Sequence, residues 1–359
     1  MTSPEPNDAE YQAAAERLAA GELVGLPTET VYGLAGDATN PEALRRIFEL
    51  KRRPTNHPLI VHLADASWLS AYTKRPPEIA FRLAARFWPG PLTLVLERSD
   101  AVPREATGGL ESVAVRVPAH PVAARLLQLY GRPLAAPSAN LFGQVSPTTA
   151  AHVRADFGER LPIVLDGGPC AVGVESTILD VRDEPRVLRP GGVSRLELSD
   201  FLGVPVGTVG APSSELRAPG LLESHYAPRA PLELIEPSEL WGKIAEGSRV
   251  DLRIGLFVPG FTIDEERSLP FAFEKIPNEG GSGLEQYRAR IERPGRPALE
   301  LFLLAPGPAP SDVERTLYDA LRRFDGAGCD RIWAAVPRGG ELGEAVEDRL
   351  RKAAAPRPR

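Results

Sequence analysis

The chain has 359 residues, with 42 Lys and Arg against 48 Asp and Glu, and this formal charge of −6 excludes attachment to nucleic acid by bulk charge alone. With 43% hydrophobic and 25% charged residues it is of globular composition and long enough for two sizeable cores, which excludes disorder throughout. The 37 Pro and 33 Gly make up about a fifth of the chain against a usual total of roughly 12%, so they mark turns, a linker or both.

A helix is predicted over 8–20, stopped by Gly21, followed by a short buried strand over 23–26. A second helix starts at Asn40, which is placed to cap it, with Pro41 at the first helical position and Glu42 at the positive end of the dipole. It runs to about Leu50, leaving Lys51, Arg52 and Arg53 at its C-terminal end before Pro54 breaks it. Strands are expected at 59–63, 92–97 and 112–117, near Leu134, and at 163–166, 176–181 and 186–188; helices at 78–87, 121–130, 148–157 and 194–202. Strands and helices mix without a strict βαβ repeat, which predicts an α/β domain with a twisted, mixed open sheet and helices packed on it.

From Gly203 to about Pro231 the sequence has no hydrophobic period and is dense in Gly, Pro and Ser, as expected of an interdomain linker. Beyond it, strands at 232–235, 253–258, 299–304 and 331–336 alternate with helices at 237–245, 283–291, 311–324 and 342–353. That pattern predicts a smaller Rossmann-like α/β domain. Two cysteines, Cys170 and Cys329, offer neither a disulfide framework nor zinc spacing, and no apolar stretch approaches the length of a membrane span. With no signal-like N-terminus, a reducing, cytoplasmic setting without a membrane is expected.

Several short segments of the first domain make poor core but good site material. Residues 26–38, LPTETVYGLAGDA, offer Thr28, Glu29, Thr30 and Tyr32 after a strand, although a turn with capping hydroxyls accounts for them as well. Residues 51–62, KRRPTNHPLIVH, set three cations at a helix end and two histidines around a strand; a cationic helix terminus and an anion site both fit. On the strand 112–117, Ser112, Ala114 and Arg116 share one face and three valines the other, and a buried Arg there asks for an anionic partner. Ser138, Asn140 and Ser146 precede a helix and suit either capping or phosphate binding. Ser176, Thr177 and Arg189 follow in turn-rich segments. Fingerprints of P-loop NTPases, dehydrogenases, serine hydrolases and zinc peptidases are missing from the sequence.

Taken in order, PTETVYGL, KRRP with NHPLIVH, WPGPLTLVL, TGGLESVAVRVP, APSANLFGQVSPT, DGG with GVESTI, LRPG and the linker HYAP resemble the YrdC/TsaC family of L-threonylcarbamoyladenylate synthases. The resemblance is dense over 10–202 and looser over the linker and the C-terminal GELGEAVEDRLRKAA, 340–354, and it indicates the long, two-domain form. It implies a YrdC-like catalytic domain over 1–203, a linker acting as a lid over 204–231, and the C-terminal domain of the long form over 232–359.

The implied activity is a nucleotidyl transfer that forms L-threonylcarbamoyl-AMP and pyrophosphate from L-threonine, bicarbonate or CO₂, and ATP, with Mg²⁺. The product would feed N6-threonylcarbamoylation of adenosine 37 in tRNAs reading ANN codons through a downstream transferase, with tRNA itself an indirect or weak partner. Carried over by position, the threonine side is Thr30, His62, Arg116, the Ala136 backbone and Ser176. The ATP side is Lys51, Arg53, His57, Ser112, Ser138, Asn140, Ser146, Arg189 and Tyr226, with His57 standing where relatives often carry Asn or Ser. No covalent nucleophile is required, because positioning and charge stabilisation suffice for a carbamate oxygen attacking the α-phosphorus.

Two other readings compete. A YrdC-type RNA-binding module without turnover would use Arg45, Arg46, Lys51, Arg52 and Arg53 on phosphates, against which stand the net charge and the hydroxyls and histidines interleaved with those cations. Hydrogenase-maturation carbamoyltransferases share a similar domain but need a zinc-finger region that two cysteines cannot build.

Overall fold

The computed structural model describes residues 5–208, 224–246, 253–261, 271–277, 283–293, 295, 297–337 and 342–356. The chain divides into two compact units, Met1–Phe142 with Ser146–Leu221, and Gly143–Val145 with Leu222–Arg359.

In the first unit, helix α1 (Asp8–Ala19) begins in a capping box in which Asn7 and Glu10 each bond the other's backbone N–H. Strands β1 (Val24–Leu26) and β2 (Gly33–Asp37) pair antiparallel before α2 (Pro41–Lys51), whose start is capped by Asn40 as expected. Helix α2 ends with Arg52 in the left-handed conformation, φ 53°. There follow β3 (Ile60–His62), α3 (Leu69–Tyr72), α4 (Glu78–Phe87), β4 (Leu92–Glu97), α5 (Arg104–Thr107), β5 (Ser112–Arg116), α6 (Pro121–Tyr130), β6 (Leu134–Ala135), α7 (Ala150–Phe157), β7 (Thr177–Asp180), β8 (Arg186–Arg189), α8 (Arg195–Leu202) and β9 (Gly207–Thr208). The strands form one nine-stranded mixed sheet in the order β1-β2-β6-β3-β5-β4-β7-β8-β9.

The two faces of that sheet are treated differently. Against one face pack α2, α4, α7 and α8, where Ile47, Phe48, Leu83, Phe87, Val153 and Leu198 cluster with Leu94, Val113, Val115 and Leu179. Each such fully buried side chain contributes roughly 1.5–3 kcal/mol. Against the other face, α1 and α6 send Tyr11, Leu18, Val122 and Leu126 onto Val24, Leu26 and Leu134, residues of the β1 and β6 end. Farther along, the same face of β3, β5, β4, β7 and β8 carries only a small apolar floor of Ile60, Ala114, Val95, Ile178 and Leu188. Alternation then puts the polar neighbours two residues away, His62, Arg116, Thr93 and Ser176, on that face as well.

The second unit contains β10 (Leu232–Ile235), α9 (Pro237–Glu246), β11 (Arg253–Phe257), β12 (Glu274–Ile276), β13 (Leu284–Ile291), β14 (Leu299–Pro306), α10 (Pro310–Gly326), β15 (Arg331–Ala335) and α11 (Glu344–Ala354). Its sheet runs β10-β15-β11-β14-β13-β12, parallel through β14 and antiparallel from there to the edge. The parallel part matches the Rossmann-like expectation. Gly255 lets α10 come close, since a Cβ there would stand 2.5 Å from the Phe324 ring.

Five segments differ from expectation. Residues 283–291 form strand β13 instead of a helix: Leu284, Tyr287 and Ile291 fit a helical spacing, but an eight-residue antiparallel ladder with β14 decides the outcome. Residues 163–166 make only a bridge from Val164 to Gly25 and no strand. Residues 33–37 and 274–276 are strands, and Gly207–Thr208 inside the expected linker adds a short one beside β8. Most of the remaining linker, 209–223, lies outside the described residues.

Candidate active site

Strand register assembles the site. His62 on β3 pairs with Arg116 on β5, and the antiparallel ladder of β5 with β4 brings Thr93 beside Arg116, one step past the Leu94 and Val115 pair. Thr93 pairs with Ile178 on β7, and Ile178 with Arg189 on β8. One row across five strands therefore runs His62, Arg116, Thr93, Ile178, Arg189, with Ile178 shared with the apolar floor.

At one end of the row, Arg116 is 3% exposed and each of its three nitrogens has a partner. Its Nη2 meets Glu29 Oε1 at 2.5 Å, its Nη1 donates to Thr30 Oγ1 at 2.9 Å, and its Nε donates to the Gly90 carbonyl at 3.1 Å. The Glu29 carboxylate also accepts the Ala119 N–H at 3.0 Å. The anionic partner that a buried Arg on this strand demands is thus a residue of the same chain, and the expected site set omitted Glu29. Thr30 is held in turn by Thr28, whose hydroxyl lies 2.8 Å away and bonds the Val31 carbonyl. His62 Nδ1 faces the Ile60 carbonyl at 3.2 Å. Burial, reinforced by the Arg116 charge, pushes its pKa down to about 3, so the ring is neutral.

At the other end, Arg189 donates from Nε and Nη2 to the Ser176 carbonyl and from Nη2 to Ser176 Oγ at 3.2 Å. Ser176 Oγ lies 2.8 Å from Thr93 Oγ1, closing a chain of polar contacts back to the row. Gly191 permits this fold of the chain, because a Cβ there would stand 2.2 Å from the Glu175 carbonyl oxygen. Ser146 donates to the buried carboxylate of Glu175 at 2.7 Å. Glu175 is a second acid absent from the expected set; its position inside GVESTI, beside Ser176, was the available signal.

A third group forms around the end of α2. Lys51 is 1% exposed, and its ammonium donates to the carbonyls of Ser138 and, at 2.6 Å, Asn140. Burial, with the neighbouring Arg53 charge, lowers its pKa well below that of a free lysine. Arg53 donates to the Pro58 carbonyl at 2.9 Å and lies over the Phe142 ring, against whose edge His57 also packs. Ser112, Asn140 and Ala136 are buried, and Ala136 N–H bonds the Ile60 carbonyl. Tyr32 is structural: its hydroxyl donates to the Gly168 carbonyl and accepts from Gly167 N–H, pinning the DGG turn.

Tyr226 belongs to the second unit, where it is 1% exposed and has φ 60°. It stacks on Tyr318, and the next residue, Ala227, donates its N–H to the Gly143 carbonyl at 3.0 Å within that unit. Thus the row and its hydrogen-bonded neighbours unite Thr30, His62, Arg116, Ser176 and Arg189, while Lys51, Ser138 and Asn140 form one cluster and Arg53 and His57 another. The arrangement is suited to holding anionic and zwitterionic groups without a covalent nucleophile. The buried Cys170 thiol is pushed up by burial and offers no thiolate. Among the described residues no set of three His, Cys, Asp or Glu side chains could hold a metal ion, and no helix is long and apolar enough to cross a membrane.

A telomere recombination family model, Sua5_yciO_yrdC, matches residues 16–191, and a threonylcarbamoyl-AMP synthase C-terminal domain model matches 193–355. The threonylcarbamoyl-AMP synthase of Pyrococcus abyssi is 41% identical over 350 residues, covering 95% of this chain and 92% of that protein. That of Bacillus subtilis is 39% identical over 355 residues, covering 97% and 94%. A crystal structure of P. abyssi Sua5 complexed with L-threonine superposes with a TM-score of 0.80 at 38% identity, over 98% of this chain and 96% of that one. Fold and site together define a YrdC-like α/β domain joined to a Sua5-type C-terminal domain. The chain belongs to the threonylcarbamoyl-AMP synthase family.

Proposed function

We propose that the protein is an L-threonylcarbamoyladenylate synthase, a nucleotidyltransferase that converts L-threonine, bicarbonate or CO₂, and ATP into L-threonylcarbamoyl-AMP and pyrophosphate. The observation that carries this is the single row from His62 through Arg116 to Arg189, with amino-acid-binding residue types at one end and a phosphate-binding cation at the other. The near full-length likeness to two threonylcarbamoyl-AMP synthases supports the same reading.

In this reading Arg116, Thr30, His62, the Ala136 backbone and Ser176 hold threonine. Lys51, Arg53, His57, Ser112, Ser138, Asn140, Ser146, Arg189 and Tyr226 hold ATP. Threonine's amine takes up CO₂, losing a proton, and the carbamate oxygen attacks the α-phosphorus as the bond to pyrophosphate breaks. Neutral His62 leaves the Arg116 charge uncontested by a second cation, and the cations around Lys51 and Arg189 stabilise charge that moves onto the leaving group. The hydroxyl- and cation-rich donor set suits phosphate and offers no acidic cage, so Mg²⁺ would be carried by the triphosphate and would supply further charge neutralisation there. Residues 1–203 are the catalytic domain, 204–231 a linker that closes on the nucleotide, and 232–359 the accessory domain. The product serves N6-threonylcarbamoylation of adenosine 37 in ANN-reading tRNAs, in the cytoplasm, through a separate transferase.

The test is incubation with ATP, Mg²⁺, bicarbonate and each amino acid in turn, followed by pyrophosphate detection. Release that depends on both threonine and bicarbonate is expected. Salt-dependent tRNA binding with no such release would favour the RNA-binding reading instead.

A further inference from the structure

Among the described residues Arg349 is the largest fully buried side chain, 0% exposed, and it lies midway along α11. Its guanidinium carbon stands 5.1 Å from the centre of the Tyr226 ring, within the range of a cation–π contact. Tyr226 also stacks on Tyr318 of α10 at 5.7 Å with 28° between planes, and His225 packs edge-on against it at 4.1 Å. Arg349 Nη1 bonds Asp348 at 2.6 Å, and its charge acts on Glu314, one turn before Tyr318. Backbone contacts continue the attachment: His225 N–H donates to the Lys352 carbonyl and Ser224 Oγ to that of Ala355. Two adjacent amides, Arg229 and Ala230, donate to the Asp325 carboxylate.

Burying a guanidinium completely is costly unless it is paired and usefully employed. A left-handed φ of 60° at a tyrosine also costs energy, and persists only where its surroundings over-determine it. Both costs meet at one contact.

We propose that Arg349 is a positioning residue: the C-terminal domain holds the linker tyrosine in its left-handed conformation by clamping the ring between Arg349 and Tyr318. The clamp itself is independent of what the linker does. Its effect on turnover rests on the reading above in which the linker closes on the nucleotide.

The test compares the full-length protein with Arg349→Met, Arg349→Lys, Tyr226→Ala and the Arg349→Met/Tyr226→Ala double variant. Hydrogen exchange of the 224–228 peptide reads the clamp directly, and is expected to rise about tenfold or more in Arg349→Met and less in Arg349→Lys. Turnover is expected to fall on the order of tenfold in kcat, with calorimetric threonine affinity unchanged, and the double variant to match Tyr226→Ala alone. If Arg349→Met does not fold, the lysine variant carries the exchange and kcat comparison by itself. Unchanged exchange in a folded Arg349 variant, or kcat losses that simply multiply in the double variant, would overturn the clamp. Full turnover in Tyr226→Ala would instead defeat the linker's role in closing, leaving the clamp to stand or fall on the exchange data.

Discussion

Glu29 and Arg116 come from segments 87 positions apart and form a buried ion pair of 2.5 Å, with Arg116 3% exposed. A pair held this way is weak evidence for stability as a whole, yet removing one member leaves an uncompensated charge. Glu29→Gln keeps the shape and deletes the negative charge, so it is expected to cost about 3 kcal/mol or more of stability. Threonine, whose carboxylate is proposed to meet Arg116 and so to replace the missing anion, is then expected to raise the melting temperature of the variant by more than it raises that of the wild type. Thermal melts with and without saturating threonine decide this, and an unaltered melting temperature in the variant would sink it.

The other member of the pair gives a different outcome. Arg116→Ala removes the donor proposed for the threonine carboxylate, and charge-assisted hydrogen bonds of this kind are worth enough to raise the threonine requirement roughly 10- to 100-fold. Nucleotide binding, proposed for the other end of the row, is expected to change little. Calorimetry with threonine alone is the check, and unchanged affinity would remove Arg116 from the threonine side.

Lys51 is buried against two carbonyls and holds a depressed pKa because burial disfavours its charge. The triphosphate proposed to bind beside it would restore the charged form. ATP binding at pH values above the depressed pKa is therefore expected to draw protons from solution, up to about one per site. Calorimetric titrations in buffers of different ionisation enthalpy measure that uptake. It should vanish in Lys51→Met, and identical uptake in both proteins would place the proton elsewhere.

These contacts show which parts of the sequence spoke plainly. Several helices did: Asn40 with Pro41, Glu78 to Phe87 and Pro121 to Tyr130 carry local signals that the structure reproduces. Alternation on Ser112 to Val117 likewise separated Ala114 and Arg116 from the valines of the core. What failed were segments whose state is set by a distant partner. Gly33–Asp37, with two glycines and no β-branched residue, is a strand because β1 and β6 flank it, and Leu284–Ile291 because β14 does. At the site, Arg116 announced its need for an anion, but nothing local to residue 29 identifies Glu29 as that anion, since the pair exists only through tertiary folding. Glu175 is bound to Ser146 in the same long-range way, although its place beside Ser176 in GVESTI gave a local signal that residue 29 lacks.

Gly191 illustrates a site residue that acts by having no side chain. A Cβ there would meet the Glu175 carbonyl oxygen at 2.2 Å and the Thr177 nitrogen at 2.5 Å, backbone atoms that cannot rotate aside. Gly191→Ala must push the 175–177 strand start away from β8, carrying Ser176 out of reach of Arg189. A loss of about 1–3 kcal/mol is expected from overpacking, together with weaker binding of both substrates. Chemical denaturation and calorimetry on the same variant test the two halves, and wild-type stability would mean that the chain relaxes there without cost.

His62 yields the pH dependence. Its folded pKa of about 3 lies below the ordinary histidine value of 6.5 because burial and Arg116 both oppose the cation. Above about pH 6.5 neither the folded nor the unfolded chain protonates it, and it contributes no pH dependence. As pH falls through the window from about 6.5 to about 3, the unfolded chain binds a proton that the folded chain refuses. Stability therefore drops on acidification by up to about 1.4 kcal/mol per pH unit from this residue. In His62→Gln that contribution is absent, so its stability should decline less steeply between about pH 6 and pH 4 by close to one proton's worth of slope. Urea denaturation across that range measures both slopes; parallel slopes for the two proteins would show that His62 titrates normally in the folded chain, and that Arg116 does share its surroundings with a second cation.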